Sequence, residues 1–478
     1  MKRGVGRSLA PLTLAGLVLA GCAEPVIAPE ESAVPIDPAF SFGSPLFSAM
    51  AGEGEARHMV VFRSESAPKD LAERVAALGG RVEAVYGAVG VAVVGGLDPE
   101  GLAALARWKD VQMVQVDATV ELHPLPAEPV ATEAVGVEPA APDAPGTAFF
   151  YARQWNLPAI GADRAWAAGR LGSPDVTVAI LDTGIDYMHA DLAGRVDLSR
   201  SVSFIPSDDA LVAALFPGRH PVTDLQFHGT HVAATIASNA LAAAGVTSKV
   251  TLIGVKVLNV NGNGPFSAIL AGILYAADAG ADVINMSLRG LFDKKEAPGF
   301  VSVLNRATNY AARKGVTIVV AAGNDELDID HNGNGYVAFC DSPNVICVSA
   351  TGPTASDGTD GPWYEIDAPA PYTNYGRSVI DVAAPGGGDG GVVWAACSGA
   401  SLVIPVCQTG IYVVGASGTS MAAPHVAALA ALLVEDYGRN PARIRAALRN
   451  TADDLGQPGN DPYYGKGRIN VARALGLD

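Results

Sequence analysis

The sequence predicts an α/β fold, a mostly parallel central sheet with helices on both faces, preceded by a small α+β domain. Two observations carry this. Residues 176–181, 250–258, 283–288, 316–321 and 345–350 are near-continuous apolar runs of strand length, the pattern of strands covered on both faces. Helix-like stretches at 267–278 and 299–314 lie between some of them, as crossovers between parallel strands require. In such a sheet, sites gather at the carboxyl ends of the strands.

Taken from the N-terminus, Lys2, Arg3 and Arg7 precede an apolar stretch at 9–20, too short to span a bilayer, and then Leu19-Ala20-Gly21-Cys22. This resembles the bacterial lipobox and implies a lipoprotein signal peptide over 1–21, export, and a membrane anchor on Cys22. An ordinary secretory signal is the alternative, and it too exports the chain. Residues 22–57, rich in Pro, Ala, Ser and Glu, read as a flexible tether.

The compact segment 58–123 holds a strand at 59–62, a helix at 70–78 ended by Gly79-Gly80, a strand at 89–94, a helix at 99–108 and a strand at 111–116. Leu71, Val75 and Leu78 share one face of the first helix; Leu102, Leu105 and Ala106 share one of the second. Residues 124–147 form a Pro/Ala-rich linker, and 148–478 form the α/β domain.

Of the 478 residues, 49% are hydrophobic, enough for a large core. Lys plus Arg number 32 against 49 Asp plus Glu, a net charge of −17 that argues against a nucleic-acid partner. The five cysteines are an odd number. With Cys22 lipidated, Cys340, Cys347, Cys397 and Cys407 remain in an oxidising compartment, where three pairings are open. The local pairs Cys340–Cys347 and Cys397–Cys407 are preferred, with buried free thiols as the alternative.

Three motifs bear chemistry. Val178-Ala179-Ile180-Leu181-Asp182-Thr183-Gly184 places an acid at the end of a buried strand; His228-Gly229-Thr230-His231 opens a helix; Gly418-Thr419-Ser420-Met421-Ala422-Ala423-Pro424-His425 puts a hydroxyl at the start of a long apolar helix. A serine needs a neighbouring base, and an imidazole needs a carboxylate to fix its tautomer. The order Asp182, His228, Ser420 and these signatures resemble the subtilisin-like serine proteases (subtilases), over roughly 149–478 and including Tyr464-Gly465-Lys466-Gly467-Arg468-Ile469-Asn470.

The resemblance implies a subtilisin-like fold and a self-processed endopeptidase acting on protein or peptide substrates. It needs no cofactor for catalysis and is expected to be a monomer. Ala321-Ala322-Gly323-Asn324 matches the oxyanion asparagine, with Ala321 and Gly323 beside the substrate. Ser287-Leu288-Arg289-Gly290 matches the strand that pairs with substrate, and Arg289 stands where the family usually has glycine. Segment 58–123 resembles the ferredoxin-like inhibitory propeptide, whose tail, 116–123 here, occupies the cleft. Pro124 follows at once, so the cut falls somewhere from Leu122 to Phe150. The rival reading is a non-enzymatic surface lipoprotein that keeps the fold as a binding module.

Other motifs carry less. Gly386, Gly388 and Gly391 match a dinucleotide fingerprint, but Val392-Val393-Trp394 reads as a strand where a helix is needed. His228 and His231 lack a zinc-site spacing, and His425 reads as helix packing. Asp328, Asp330, Asn332 and Gly333 copy the start of a calcium loop, yet position twelve is Phe339. Asp191 matches a calcium ligand of many subtilases, although residues 239–246 lack the usual polar side chains. A structural calcium is left open at both places.

Overall fold

The computed structural model describes residues 56–122, 128–131, 140–295, 298–337 and 339–477. The expected signal peptide, Cys22 and most of the tether lie outside them.

Strands β1 (His58–Phe62), β2 (Arg81–Tyr86), β3 (Val91–Gly95) and β4 (Val111–Val116) form an antiparallel sheet in the order β2-β3-β1-β4. Helices α1 (Leu71–Ala76) and α2 (Pro99–Ala106) cover one face. There Leu71, Val75 and Leu105 pack on Val60, Phe62, Ala92 and Val94. The alternate residues Met59, Val61, Val91 and Val93 join the core of the following domain. The central strands are therefore buried on both faces. Strand β2 was not foreseen: it is an edge strand with exposed and half-buried residues, and its apolar signal is weak.

Two short strands follow, β5 (Thr119–Glu121) and β6 (Glu128–Ala131). The second lies within the stretch expected to be plain linker. The large sheet contains β7 (Thr177–Asp182), β8 (Val202–Ser203) and β9 (Thr251–Lys256), with helix α3 (His228–Ile236) between the last two. Strand β10 (Asn263–Pro265) and helix α4 (Phe266–Asp278) lead to β11 (Val283–Met286), helix α5 (Pro298–Arg313) and β12 (Thr317–Ala321). Strands β13 (Val345–Gly352), β14 (Ala368–Pro369) and β15 (Val382–Pro385) complete it.

The order is β14-β13-β12-β11-β7-β9-β8, with β15 also on β13. Every pair is parallel except β13 with β14. Strands β16 (Val393–Ala396) and β17 (Tyr412–Ala416) pair beside this sheet and lead into helix α6 (Thr419–Tyr437).

The continuous apolar runs have a physical cause. Val178 and Ile180 of β7 face α3 and α6, while Ala179 and Leu181 face α4 and α5. A strand sandwiched in this way has no polar face to alternate with. Cys340 is bonded to Cys347 and Cys397 to Cys407.

Candidate active site

Strand β7 ends at Asp182 and α3 begins at His228, and the two meet. Asp182 Oδ1 accepts from His228 Nδ1 at 2.8 Å, with the residues 0% and 3% exposed. The Thr183 backbone N–H donates to the same oxygen at 2.7 Å. The Thr183 hydroxyl accepts from Gly229 N–H at 3.0 Å, tying the strand end to the first turn of α3. A Cβ on Gly229 would lie 2.1 Å from the Gly184 carbonyl oxygen, so glycine is required here by the close approach of two backbones.

Helices α3 and α6 pack side by side, which brings Ser420, in the first turn of α6, to the same end of the sheet. The Ser287 hydroxyl donates to Ser420 O at 2.8 Å, and Ser420 Oγ donates to Ser287 O at 3.4 Å. Asn324 Oδ1 accepts from both the backbone N–H and the hydroxyl of Thr419, at 2.9 and 2.8 Å. These bonds commit the carboxamide oxygen to the start of α6.

Leu122, Ser287, Leu288, Arg289, Ala321, Gly323, Asn324, Thr419 and Ser420 together line one pocket with a free volume of about 10 Å³. That is room for one water at most. Gly290, expected at the site, does not line this pocket, whereas Thr419, not expected, does. Strand β5 delivers Leu122. It pairs antiparallel with β10, Val120 opposite Gly264, and Leu122 N–H donates to Gly262 O at 2.8 Å. The Ser287–Gly290 stretch contributes a single bridge, Glu121 to Arg289. The longer ladder is on β10, which sequence reading missed because Gly262-Asn263-Gly264-Pro265 has the composition of a turn.

His231 and His425 are fully buried and bonded within the core. His231 Nε2 meets Val393 O at 3.0 Å, and burial pushes its pKa down to about 3. His425 lies between Met421 O and Asn156 Nδ2, both at 2.8 Å, and burial pushes it down to about 4. The glycine loop at 386–391 is packed backbone: a Cβ on Gly387 would lie 2.4 Å from Ser417 Oγ.

Neither suspected calcium position fits the ion. Asp191 Oδ1 accepts the backbone N–H groups of Leu241 and Ala242, and Oδ2 that of Ala243, at 2.8 to 3.0 Å. Three amide dipoles thus present their positive ends where a cation would bind. Asp330 accepts from Ser378, and Asp328 from Asp330 N and His331 Nδ1. Among the described residues no group of three or more His, Cys, Asp or Glu is arranged to hold a metal.

A family model described as the subtilase family matches residues 173–467. Thermitase of Thermoactinomyces vulgaris is 34% identical over 334 residues, covering 69% of this chain and 99% of the relative. Subtilisin DY of Bacillus licheniformis is 35% identical over 323 residues, covering 67% and 97%. Among solved structures, fervidolysin from Fervidobacterium pennivorans, a keratinolytic enzyme related to subtilisin, superposes with a TM-score of 0.65 at 24% identity, over 88% of this chain and 61% of that one. The epidermin leader peptide processing serine protease from Staphylococcus aureus superposes with a TM-score of 0.67 at 21% identity, over 89% and 98%. At these identities the two structures speak for the fold alone.

Proposed function

Because the chain belongs to the subtilase family of serine endopeptidases, we propose that Ser420 is its nucleophile, His228 the base, Asp182 the acid that orients His228, and Asn324 an oxyanion donor. The Asp182–His228 bond, 2.8 Å long and shielded from water, carries this reading. It fixes the proton on Nδ1 and leaves the Nε2 lone pair for the Ser420 hydroxyl. Ser420 Oγ then attacks the peptide carbonyl as His228 takes its proton. The oxyanion is held by the Asn324 carboxamide and the Ser420 N–H; the C–N bond breaks as His228 gives its proton to the leaving amine, and water, deprotonated by His228, then hydrolyses the acyl-enzyme and restores the Ser420 hydroxyl.

Segment 58–123 acts as a propeptide that guides folding and blocks the cleft. Arg306 of α5 donates to the carbonyls of Phe62 and Val89, both at 3.0 Å. Buried Asp117 accepts from Ser267 N and Oγ, at 2.9 and 2.5 Å, in the first turn of α4. The presence of Leu122 in the same pocket lining as Ser420 supports self-cleavage between Leu122 and His123. Pro124 is then the second residue after the cut, where its ring does not obstruct the bond. The chain is exported as a lipoprotein through Cys22, and the processed catalytic domain works as a monomer on polypeptide substrates.

The test is labelling with a fluorophosphonate together with N-terminal sequencing of the processed protein. Labelling at Ser420 and a new terminus at His123 are expected. An unlabelled, uncut chain overturns the enzymatic reading, and a terminus elsewhere overturns the assigned bond.

A further inference from the structure

Strand β17 runs directly into Ser417-Gly418-Thr419-Ser420. One of its edges pairs with β16. The other pairs antiparallel with β6, Glu128 opposite Gly415 and Ala131 opposite Tyr412. Strand β5 already lies on β10, and Leu122, the residue after it, lines the same pocket as Ser420. The chain's own polypeptide therefore occupies two strand edges, one leading to that pocket and one on the strand that runs into Ser420.

In the β6–β17 ladder Glu128 pairs with Gly415, five residues before Ser420. Six positions separate Leu122 from Glu128, about 20 Å of extended chain. Strand β17 is itself held firmly: Val414 packs with Cys397, Cys407 and Phe227, and Cys397 N–H donates to Tyr412 O at 2.9 Å.

We propose that the outer edge of β17 is a second substrate-binding edge of the cleft, taking the main chain of an extended polypeptide six to nine residues downstream of the cleaved bond. The proposal rests on the assignment of Ser420 and of the Leu122–His123 bond. Residues 128–131 occupy this edge in the precursor. After the cut they remain covalently joined to the catalytic domain and compete with substrate. Recognition through backbone N–H and C=O groups is tolerant of sequence but demands extended chain. The favoured substrates are therefore polypeptides with at least nine residues of extended chain beyond the bond.

The test compares the processed protein with a variant in which Glu128, Pro129, Val130 and Ala131 are each replaced by glycine, both counted by fluorophosphonate titration. Quenched peptides carry Thr-Val-Glu-Leu before the bond and three or ten residues after it. The ratio of kcat/KM, long over short, should be about tenfold higher in the variant, the yield of two modest net hydrogen bonds. The gain should lie in KM and vanish when the long peptide is N-methylated at downstream positions six to nine. Equal ratios in the two enzymes, or indifference to N-methylation, overturn the proposal. Hydrogen exchange in uncut Ser420→Ala protein gives a second reading: amides of Tyr412–Ala416 should exchange faster once 128–131 are glycines, and unchanged exchange overturns the pairing. If neither peptide is cut and Ser420 is not labelled, the catalytic assignment itself falls.

Discussion

Arg289 spans the rim of the Leu122 pocket to Asp325, Nε to Oδ2 at 2.9 Å and Nη2 to Oδ1 at 2.5 Å. The pair is bidentate and about three-quarters buried, so it is more ordered than a typical surface ion pair. It cancels the charge of the acid that follows Asn324. Arg289→Gly removes the guanidinium from Asp325, two residues after the pocket-lining Gly323, and keeps the Asn374 amide at 3.2 Å beside it. The variant should accept lysine before the cleaved bond better, raising kcat/KM for lysine relative to leucine by roughly fivefold to tenfold, equivalent to about 1 kcal/mol. A peptide series differing at that one position measures this; an unchanged ratio means that Asp325 is not sensed in the pocket.

Ser420→Ala and His228→Ala should each abolish peptide hydrolysis and leave the precursor uncut. Asp182→Asn should keep the geometry and lose most activity, because its amide favours the wrong imidazole tautomer. Leu122→Asp should slow self-cleavage by a hundredfold or more, since a carboxylate would enter a pocket with almost no room for water. Gel analysis of the precursor over time reports all four. Normal processing of Ser420→Ala, with other proteases excluded, would refute the mechanism.

The residues proposed as catalytic were legible in the sequence because each sits where a local rule places it: Asp182 ends an unbroken apolar strand, and His228 and Ser420 open helices. The pairings of β5 with β10 and of β6 with β17 were much harder to read. Strand β10 is written in Gly, Asn and Pro, and β6 contains Pro129, compositions that give no strand signal. The Arg289–Asp325 pair joins residues 36 positions apart, which no local pattern reveals. Asp191 was legible as a matching residue, but its partners are backbone groups and leave no trace in side-chain composition.

Stability should fall in acid through the buried histidines. Burial lowers His425 to about 4 and His231 to about 3, against about 6.5 when unfolded. The unfolded chain therefore takes up the protons first as pH falls. Their stabilising effect is complete above about pH 6.5 and is lost on the way down to pH 4 for His425, amounting to roughly 3 kcal/mol. Urea unfolding of Ser420→Ala protein at pH 7.5 and 4.5 measures the loss. His425→Gln in that background should shrink the difference between the two pH values; an undiminished difference would exclude His425 as a source.

Asp191 is held by backbone hydrogen bonds rather than by an ion, an expectation that can be tested directly. Its two carboxylate oxygens take three consecutive backbone N–H groups, and Asn239 N–H donates to its carbonyl at 2.7 Å. The Asn239 side chain closes the same turn through Ala190 O and Ala193 O, at 3.0 and 2.8 Å. Asp191→Ala strands three buried donors, at a cost of about 1 kcal/mol or more each, so about 3–5 kcal/mol in all. Asp191→Asn keeps one acceptor oxygen and should lose less. A cation cannot stand in for the missing carboxylate, because N–H groups repel it. Added calcium should therefore leave the Tm of Asp191→Ala unchanged, and a chelator should leave the Tm of the parent unchanged, both measured by calorimetry in the Ser420→Ala background. A chelator-induced fall in the parent that calcium reverses would show that an ion, and not the amide ladder, holds this loop.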